Sequence, residues 1–442
     1  MKKIIALLLA AVMILGLAAC GSSSGTSTAE TTTAAAETTA KETTAKETTA
    51  KETTTAGTSS LNTDIKVGVV LVGDENEGYT YAHIEGIKAA VKALGLPEEN
   101  VVWYYSIPES EVCYDKCVDC ADQGCSIVFT NSYGHQTYCQ QAAAEYPDVT
   151  FVAMTGDTAL TSGLTNFKNA FTNIYEARYV SGVVAGMKVA ELVKAGKLAD
   201  SNYDADGNVK IGYVGAYPYA EVVSGYTAFF LGIKSVYEKV SMEVQYTNSW
   251  FDITAENEAA KAMISDGCVI IGQHADSTGA PAACEEAYKA GTTVFSVGYN
   301  VDMLATAPDA ALTSATNNWS VYYTYAIGQI MKGEEVDTNW SKGFTDKAVA
   351  ITALGPNVAE GTADKVATVE AAISGGTLHV FDTSTFTVGG QAVTSFLARD
   401  TNGDWVNDTD EAIFDGYLHE SYFQAAPCFS LRIDGITELN AD

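Results

Sequence analysis

The feature that most constrains the fold is a regular alternation of short apolar runs with segments of helical periodicity, beginning near Ile65. Such an alternation predicts buried parallel strands joined by right-handed helical crossovers. It occurs in two series, which indicates an α/β protein with two doubly wound parallel-sheet lobes. The predicted strands are 66–73, 101–107, 126–132 and 150–156 in the first series, and 210–217, 242–250, 268–275 and 293–300 in the second.

The lobe boundaries follow from the two series, and a chain of 442 residues suits two domains with tails. We expect residues 62–182 to form the first lobe, with about 311–335 returning to it. We expect residues 183–310 to form the second lobe, completed by about 336–442. The last quarter predicts strands at 349–354 and 377–387, a helix at 362–374 and a polar turn at 400–410.

The first twenty residues have the features of an export signal, because a basic start precedes an apolar run that is short for a membrane span. The run ends in Leu-Ala-Ala-Cys-Gly at 17–21, which resembles the bacterial lipobox and implies cleavage before Cys20 and lipidation of its thiol. Residues 21–61 are low in complexity and predict a disordered Thr/Ala/Lys/Glu tether. We therefore expect a lipid-anchored protein on the extracytoplasmic face of the cell membrane.

The charge balance restricts the partners. With 25 Lys and Arg against 55 Asp and Glu, the net charge is −30. An acidic surface argues against nucleic acid and against an anionic lipid surface as binding partners. A small neutral ligand remains compatible with it.

The residues that follow the predicted strands point to a ligand, because ligands of open parallel sheets bind beyond the carboxyl ends of the strands. Aromatic rings alternate there with amide and carboxylate groups, and basic residues are nearly absent. This chemistry suits a flat, neutral, hydrogen-bonding ring such as a purine, whereas phosphate or carboxylate ligands would require basic groups. The candidates are Asn76, Tyr79, Tyr81, Asn131, Ser132, Tyr133, Tyr217, Trp250, Asp252, Gln273, Asp276, Tyr299, Asn300, Asp302 and Trp319.

Several of these stretches resemble the basic membrane protein (Bmp/Med) family, and the similarity extends over nearly all of 64–440. The most specific are Gly-Tyr-Thr-Tyr-Ala-His at 78–83, Asn-Ser-Trp-Phe-Asp at 248–252 and Gln-His-Ala-Asp-Ser at 273–277. The family consists of lipoprotein substrate-binding subunits of ABC importers. The resemblance implies a type I periplasmic-binding-protein fold with the ligand between the lobes, an ABC permease as partner, and a purine nucleoside or purine base as ligand.

The sequence departs from the family where the ribose of a nucleoside would bind. The family's Asp-x-Gly-Phe-Asn loop is Asn-Glu-Gly-Tyr-Thr at 76–80, its Gly-Val-Asp is Gly-Tyr-Asn at 298–300, and its lysine corresponds to Asn317 or Asn318. We therefore expect a free nucleobase to bind more tightly than its nucleoside. In this hypothesis Asp276 or Asp252 accepts hydrogen bonds from ring N–H groups, and Trp250 or Tyr79 stacks on the ring.

Two further patterns favour structural roles. Cys113, Cys117 and Cys120 have the spacing of a radical SAM motif, but they also share one face of a helix, which favours buried thiols. Residues 400–411 partly match a calcium-binding loop, but Trp405 occupies the glycine position, which favours a polar hairpin turn.

The predicted function is that of a monomeric binding subunit of an ABC importer. No nucleophile–base pair or metal-ligand set stands out in the sequence, so we expect no catalysis, no cofactor and no metal. A receptor that senses its ligand for a signalling partner, or a binder of another small solute such as a sugar, are the alternatives. An extracellular nucleoside-cleaving enzyme and an adhesin are also conceivable uses of such a chain.

Overall fold

The structure is a computed structural model that describes residues 61–403 and 406–441. The predicted signal peptide, Cys20 and the predicted tether up to residue 60 lie outside the described residues. Asp404 and Trp405, which belong to the predicted turn, also lie outside them. In the part that is described, no helix combines the length and the apolar character that a membrane span requires.

Strands and helices alternate along the chain, as the periodicity predicts. The first series is β1 (Lys66–Val70), α1 (Gly78–Leu94), β2 (Val101–Tyr104), α2 (Glu111–Asp122), β3 (Cys125–Thr130), α3 (Gln136–Glu145), β4 (Thr150–Met154) and β5 (Phe167–Thr172). The second is α4 (Ile174–Lys194), β6 (Val209–Gly215), α5 (Ala220–Lys234), β7 (Val240–Tyr246), α6 (Ile253–Asp266), β8 (Ile270–Gln273), α7 (Gly279–Lys289), β9 (Phe295–Tyr299), β10 (Ala311–Asn317) and α8 (Ser320–Lys332). The remainder is β11 (Asn339–Lys342), β12 (Val349–Ile351), α9 (Thr362–Ser374), β13 (Leu397–Arg399), β14 (Thr409–Glu411), β15 (Ile413–Phe414), β16 (Tyr417–Leu418) and β17 (Ile436–Glu438).

Two large sheets organise the molecule. The first has the order β11-β5-β4-β3-β1-β2 and the second β12-β10-β9-β8-β6-β7-β17, and every pairing is parallel except that of β12 with β10. In each sheet the strand order reverses beside the first strand, between β1 and β3 and between β6 and β8. Such switch points are where doubly wound sheets bind ligands. The predicted two-lobed α/β class is confirmed.

The division of the chain between the sheets differs in part from the expected boundaries. Helix α8 packs on α1 and buries Tyr322 and Tyr323 in the first core. However, β10 belongs to the second sheet and β11 to the first. Ile174 and Ala177 of α4 pack in the first core, whereas the helix from Tyr179 onward packs in the second. The pairing of β10 with β9 and of β11 with β5 determines the sheet to which each strand belongs. The local sequence of a strand does not specify such a distant partner.

Helix α2 has the buried cysteine face that its spacing predicts. Cys113, Cys117 and Cys120 are fully buried against residues of β3 and α3, in a small core of their own. All eight cysteines in the described residues are buried free thiols. The predicted burial of these three thiols is therefore confirmed.

The C-terminal quarter contains one error of prediction and one success. Residues 377–387 form turns and a single isolated bridge from Asp382 to Tyr417, so the predicted strand is wrong. The Asp382 carboxylate accepts from the Ser384 backbone N–H at 2.9 Å, a local bond that competes with strand pairing. The predicted polar hairpin is confirmed, because β13 and β14 pair in antiparallel fashion around 400–408.

Candidate functional site

The switch points of the two sheets face one cavity of about 320 Å³. The first lobe contributes residues after β1, β3 and β4 and at the start of α1, and the second contributes residues after β7 and β8, at the end of β9 and in the first turn of α5. The lining residues are Val72, Glu77, Tyr79, Asn131, Ser132, Tyr133, Thr155, Glu221, Trp250, His274, Asp276 and Tyr299.

Part of the predicted set lies in this lining, with members from both lobes. These residues are Tyr79, Asn131, Ser132, Tyr133, Trp250, Asp276 and Tyr299. The Asn131 amide is already used structurally, because its Oδ1 accepts from the Val72 backbone N–H at 2.8 Å and its Nδ2 donates to Thr80 Oγ1 at 3.2 Å. The aromatic members of this set are Tyr79, Tyr133, Trp250 and Tyr299.

Three predicted polar residues instead bond to nearby groups outside the lining. The side chain and backbone of Asn76 both donate to Asp74 Oδ1. Asp252 caps α6 by accepting from the backbone N–H groups of Thr254 and Ala255, so the hypothesis that it accepts from a ring N–H is not supported by its position. Asp302 accepts from the Leu304 backbone N–H in the same manner.

The other predicted residues lie behind or beside the cavity. Trp319 is buried in the first core, with its ring 4.2 Å from that of His83. Gln273 folds back on its own loop, and its Nε2 donates to the Ala275 and Ser277 carbonyls. Tyr217 supports Trp250 at a ring distance of 5.0 Å. Tyr81, Asn300 and Asp302 line a neighbouring open cleft together with Asn317 and Trp319.

Five lining residues are missing from the predicted set: Val72, Glu77, Thr155, Glu221 and His274. Val72, Thr155 and His274 come within two residues of the ends of β1, β4 and β8. Glu221 lies in the first turn of the helix that follows β6. A search that covered the first turn of each crossover helix as well as the strand ends would have included them.

The backbone is strained beside the cavity at Thr155 and Asn300, whose φ angles are 65° and 62°. A positive φ is unfavourable for a β-branched residue and more tolerable for asparagine. At Thr155 the strained conformation places the hydroxyl 3.0 Å from the Tyr79 hydroxyl, and this hydrogen bond fixes the orientation of a ring in the cavity wall.

Hydrogen bonds join the two lobes around the cavity. The Gly78 backbone N–H of the first lobe donates to the Asp276 carbonyl of the second at 3.3 Å. Asn300 Nδ2 donates to Asp276 Oδ1 at 2.7 Å, and Asn317 Nδ2 donates to Asn300 Oδ1 at 2.9 Å. The Thr172 hydroxyl of β5 donates to Asn317 Oδ1 and completes the chain back to the first sheet. The lobes are therefore in contact around the site.

The charges of the lining are unusual, since it contains three carboxyl groups and, among its described members, neither lysine nor arginine. Burial raises the pKa of Glu221 to about 8 and holds the pKa of Asp276 well above its usual range. Burial also raises the pKa of Glu77. Burial, reinforced by nearby Arg178, holds the pKa of His274 well below its ordinary value. Burial therefore favours the neutral forms of these four groups.

Two polar side-chain atoms in the cavity lining have no hydrogen-bond partner among the described residues. Trp250 Nε1 and His274 Nδ1 are buried and have no hydrogen-bond partner within the described part of the chain. Buried polar atoms are normally paired, so these two atoms are available to bond with a ligand or a water molecule in the cavity. The cavity can stack a flat ring against tyrosine and tryptophan faces and read its edge through these donors and the carboxyl groups.

Comparisons with known proteins agree with this geometry. Residues 64–378 match the family described as Bmp, ABC transporter substrate-binding protein PnrA-like. A purine-binding protein of Brucella abortus is 32% identical over 318 residues, covering 72% of this chain and 83% of its relative. A putative ABC transporter glucose-binding protein of Haloferax volcanii is 30% identical over 310 residues, covering 70% of this chain and 72% of its relative.

Solved structures share the architecture. An ABC transporter solute-binding protein of Conexibacter woesei aligns with a TM-score of 0.55 at 20% identity, covering 71% of this chain and 98% of its own. Likeness at this identity shows the fold, and the expected type I periplasmic-binding-protein fold is confirmed. Together with the match over residues 64–378, this shows that the chain belongs to the Bmp family of PnrA-like ABC transporter substrate-binding proteins.

Proposed function

We propose that this protein captures a purine in the cavity between its lobes, prefers the free nucleobase to the nucleoside, and delivers it to an ABC permease for import. The observation that carries the proposal is the lining of this cavity, which combines four aromatic rings with three carboxyl groups and contains neither lysine nor arginine among its described members. The similarity to a purine-binding protein supports the ligand class. Closure of the lobes on the ligand is the signal that such receptors present to a permease.

The preference for the base rests on the bonded groups beside Asp276. Asp276 lines the cavity, whereas Asn300 and Asn317 line the neighbouring cleft, and hydrogen bonds join all three. A ribose that extended from the cavity toward this cleft would have to break these bonds. The resemblance to the family also implies that Asn300, and Asn317 or Asn318, stand in place of the charged groups that serve ribose, so little would compensate for the loss.

A sugar is the second candidate ligand, because one relative is named as a putative glucose-binding protein. Aromatic faces and carboxyl edges also suit a pyranose, but burial of unpaired donors such as Trp250 Nε1 favours a ligand with strong ring acceptors. Delivery to a permease is favoured over sensing because the family consists of ABC transporter substrate-binding proteins.

A direct test is a binding screen with residues 21–442. Adenine, hypoxanthine and guanine, their nucleosides, glucose and amino acids would be compared by thermal shift and calorimetry. A ligand at 100 times its Kd adds about 2.7 kcal/mol of stability. We expect a purine base to shift the melting temperature more than its nucleoside. Equal or tighter binding of the nucleoside refutes the base preference, and a response to glucose alone refutes the purine assignment.

The cellular setting is part of the same proposal. A lipid anchor at Cys20 on the extracytoplasmic face and a monomeric state are supported by the lipobox-like sequence and by the acidic charge of the chain. In cells, a Cys20→Ser variant is expected to leave the membrane fraction, with Cys113→Ser as the control that stays bound. Retention of Cys20→Ser at the membrane would contradict the anchor.

A further inference from the structure

We propose that Glu221 determines ligand specificity by binding as a neutral carboxylic acid that donates one hydrogen bond and accepts another along a single edge of a heterocycle. The ligand class is a ring in which a nitrogen and an adjoining amino or oxo group form a donor–acceptor pair. This inference rests on the proposed function and deepens it, because it assigns the recognition of the purine edge to a particular side chain.

Glu221 is well placed to contact a ligand. It lies in the first turn of α5, its side chain is only 12% exposed, and it lines the same cavity as Glu77 and Asp276. Its nearest basic group is His274, whose Nε2 lies 3.5 Å from Glu221 Oε1. This distance is long for an ion pair, and burial disfavours the charged form of the imidazole.

The buried guanidinium of Arg178 is close enough to lower the pKa of Glu221, although burial raises that pKa by more. Its Nε and Nη2 have no hydrogen-bond partner among the described residues. Arg178 lies with its guanidinium carbon 3.5 Å from the centre of the Tyr299 ring, and it donates to the Gln273 carbonyl. Over the described residues it forms no ion pair within 4.0 Å. The titratable and charged groups around Glu221, from every element packed against it, are Tyr79, Glu109, Tyr133, Arg178, His274, Asp276 and Tyr299.

The three carboxyl groups around this cavity cannot all ionise without a large electrostatic cost. Glu77 and Asp276 form no ion pair within the described residues. The N-terminus of α5 favours the ionised form of Glu221. Burial outweighs it and raises the pKa of Glu221 to about 8, so the neutral acid predominates at neutral pH. A carboxylic acid carries an O–H donor beside a carbonyl acceptor. It can therefore pair with an amidine edge or a lactam edge of a purine through two parallel hydrogen bonds.

The test is the pH dependence of purine binding. Kd for the tightest purine base of the screen would be measured by calorimetry from pH 6 to pH 9 for residues 21–442, for Glu221→Gln and for Glu243→Gln. Glutamine keeps a donor and an acceptor but does not titrate. Glu243 lies on β7 outside the cavity lining, and burial raises the pKa of its carboxyl as well, so it is the matched control.

We expect the affinity of the unaltered protein to be constant below about pH 7 and to fall about tenfold per pH unit above about pH 8, because only the protonated form binds. Glu221→Gln should lose this pH dependence, because glutamine does not titrate, whereas Glu243→Gln should keep it. Affinity of the unaltered protein that is flat or rises with pH overturns the inference while leaving the proposed function intact. Failure of the unaltered protein to bind any purine overturns the proposed function itself.

Discussion

Replacing Trp250 separates stacking from hydrogen bonding at the site. Its indole lies in the cavity wall, supported by Tyr217 at 5.0 Å and Tyr219 at 6.1 Å, and its Nε1 is buried without a partner in the described residues. If a purine stacks on this ring, Trp250→Ala removes the stacking surface and the donor together. Trp250→Phe keeps an aromatic face and removes only the N–H.

The magnitudes follow from these two contributions. Stacking of a base on an aromatic side chain is worth about 1–3 kcal/mol, so Trp250→Ala should weaken binding about 5- to 150-fold. Loss of one hydrogen bond costs about 0.5–1.5 kcal/mol, so Trp250→Phe should weaken it about 2- to 13-fold. Since the ring is only partly buried, we expect Trp250→Ala to lower the free energy of unfolding by roughly 1–2 kcal/mol.

Calorimetry with the best purine base gives Kd for each variant, and thermal melts without ligand confirm that each variant is folded. Trp103→Ala is the matched control, because Trp103 is also partly buried and stacks on Tyr105 at 5.8 Å, but it lies on β2 outside the cavity. Unchanged affinity in both Trp250 variants would refute the contact with the ligand. Equal losses in the two variants would show that the N–H, and not the ring face, carries the interaction.

Three further predictions test the lobe contacts, the polar chain and the thiols. Gly78→Ala places a Cβ 3.2 Å from the Asp276 carbonyl across the cleft, and by disfavouring closure it should weaken ligand binding about fivefold. Gly328→Ala, whose Cβ has its nearest contact at 3.6 Å, should leave binding unchanged. Equal Kd values for the two variants would contradict this prediction. Asn300→Asp places a second carboxyl beside Asp276, where the amide now lies at 2.7 Å. The melting temperature of this variant should therefore fall relative to that of the unaltered protein as pH rises from about 6 to about 9. A constant difference between the two melting temperatures over this pH range would count against the prediction. The eight buried thiols of the described residues should resist a thiol reagent in the native protein and all react after denaturation, and fewer than eight would indicate disulfides.

The fold was largely predictable because both sheets are built from strands with strong apolar runs. Two of the strands that escaped prediction, β5 and β10, carry buried polar residues. β5 buries Lys168 and Asn169, and β10 buries Thr313 and Ser314. These residues interrupt the apolar pattern, and their burial depends on partners that are distant in the sequence. The assignment of β10 and β11 to their sheets has the same origin, since parallel pairing joins segments with no local signal in common.

The site was predictable in chemistry and only in part by residue. Aromatic residues after strands are visible in the sequence, and Tyr79, Tyr133, Trp250 and Tyr299 all reach the cavity wall. Polar residues are harder to place, because turns and helix starts use the same residue types for local hydrogen bonds. Asp252 and Asp276 show the difference, since the first caps a helix and the second faces the cavity.

Protonation of the carboxyl groups in the cavity lining would explain how an acidic chain can bind the uncharged ligand that we propose. A chain of net charge −30 that also lines its cavity with three carboxyl groups would repel any electron-rich ring if these groups were ionised. Burial favours their neutral forms, and a neutral acid donates a hydrogen bond where a carboxylate could only accept one. The same wall still offers no cation to a phosphate. The neutral base that we propose as ligand is consistent with this lining, whereas a nucleotide would meet the long-range repulsion of the acidic surface and a lining without lysine or arginine among its described members.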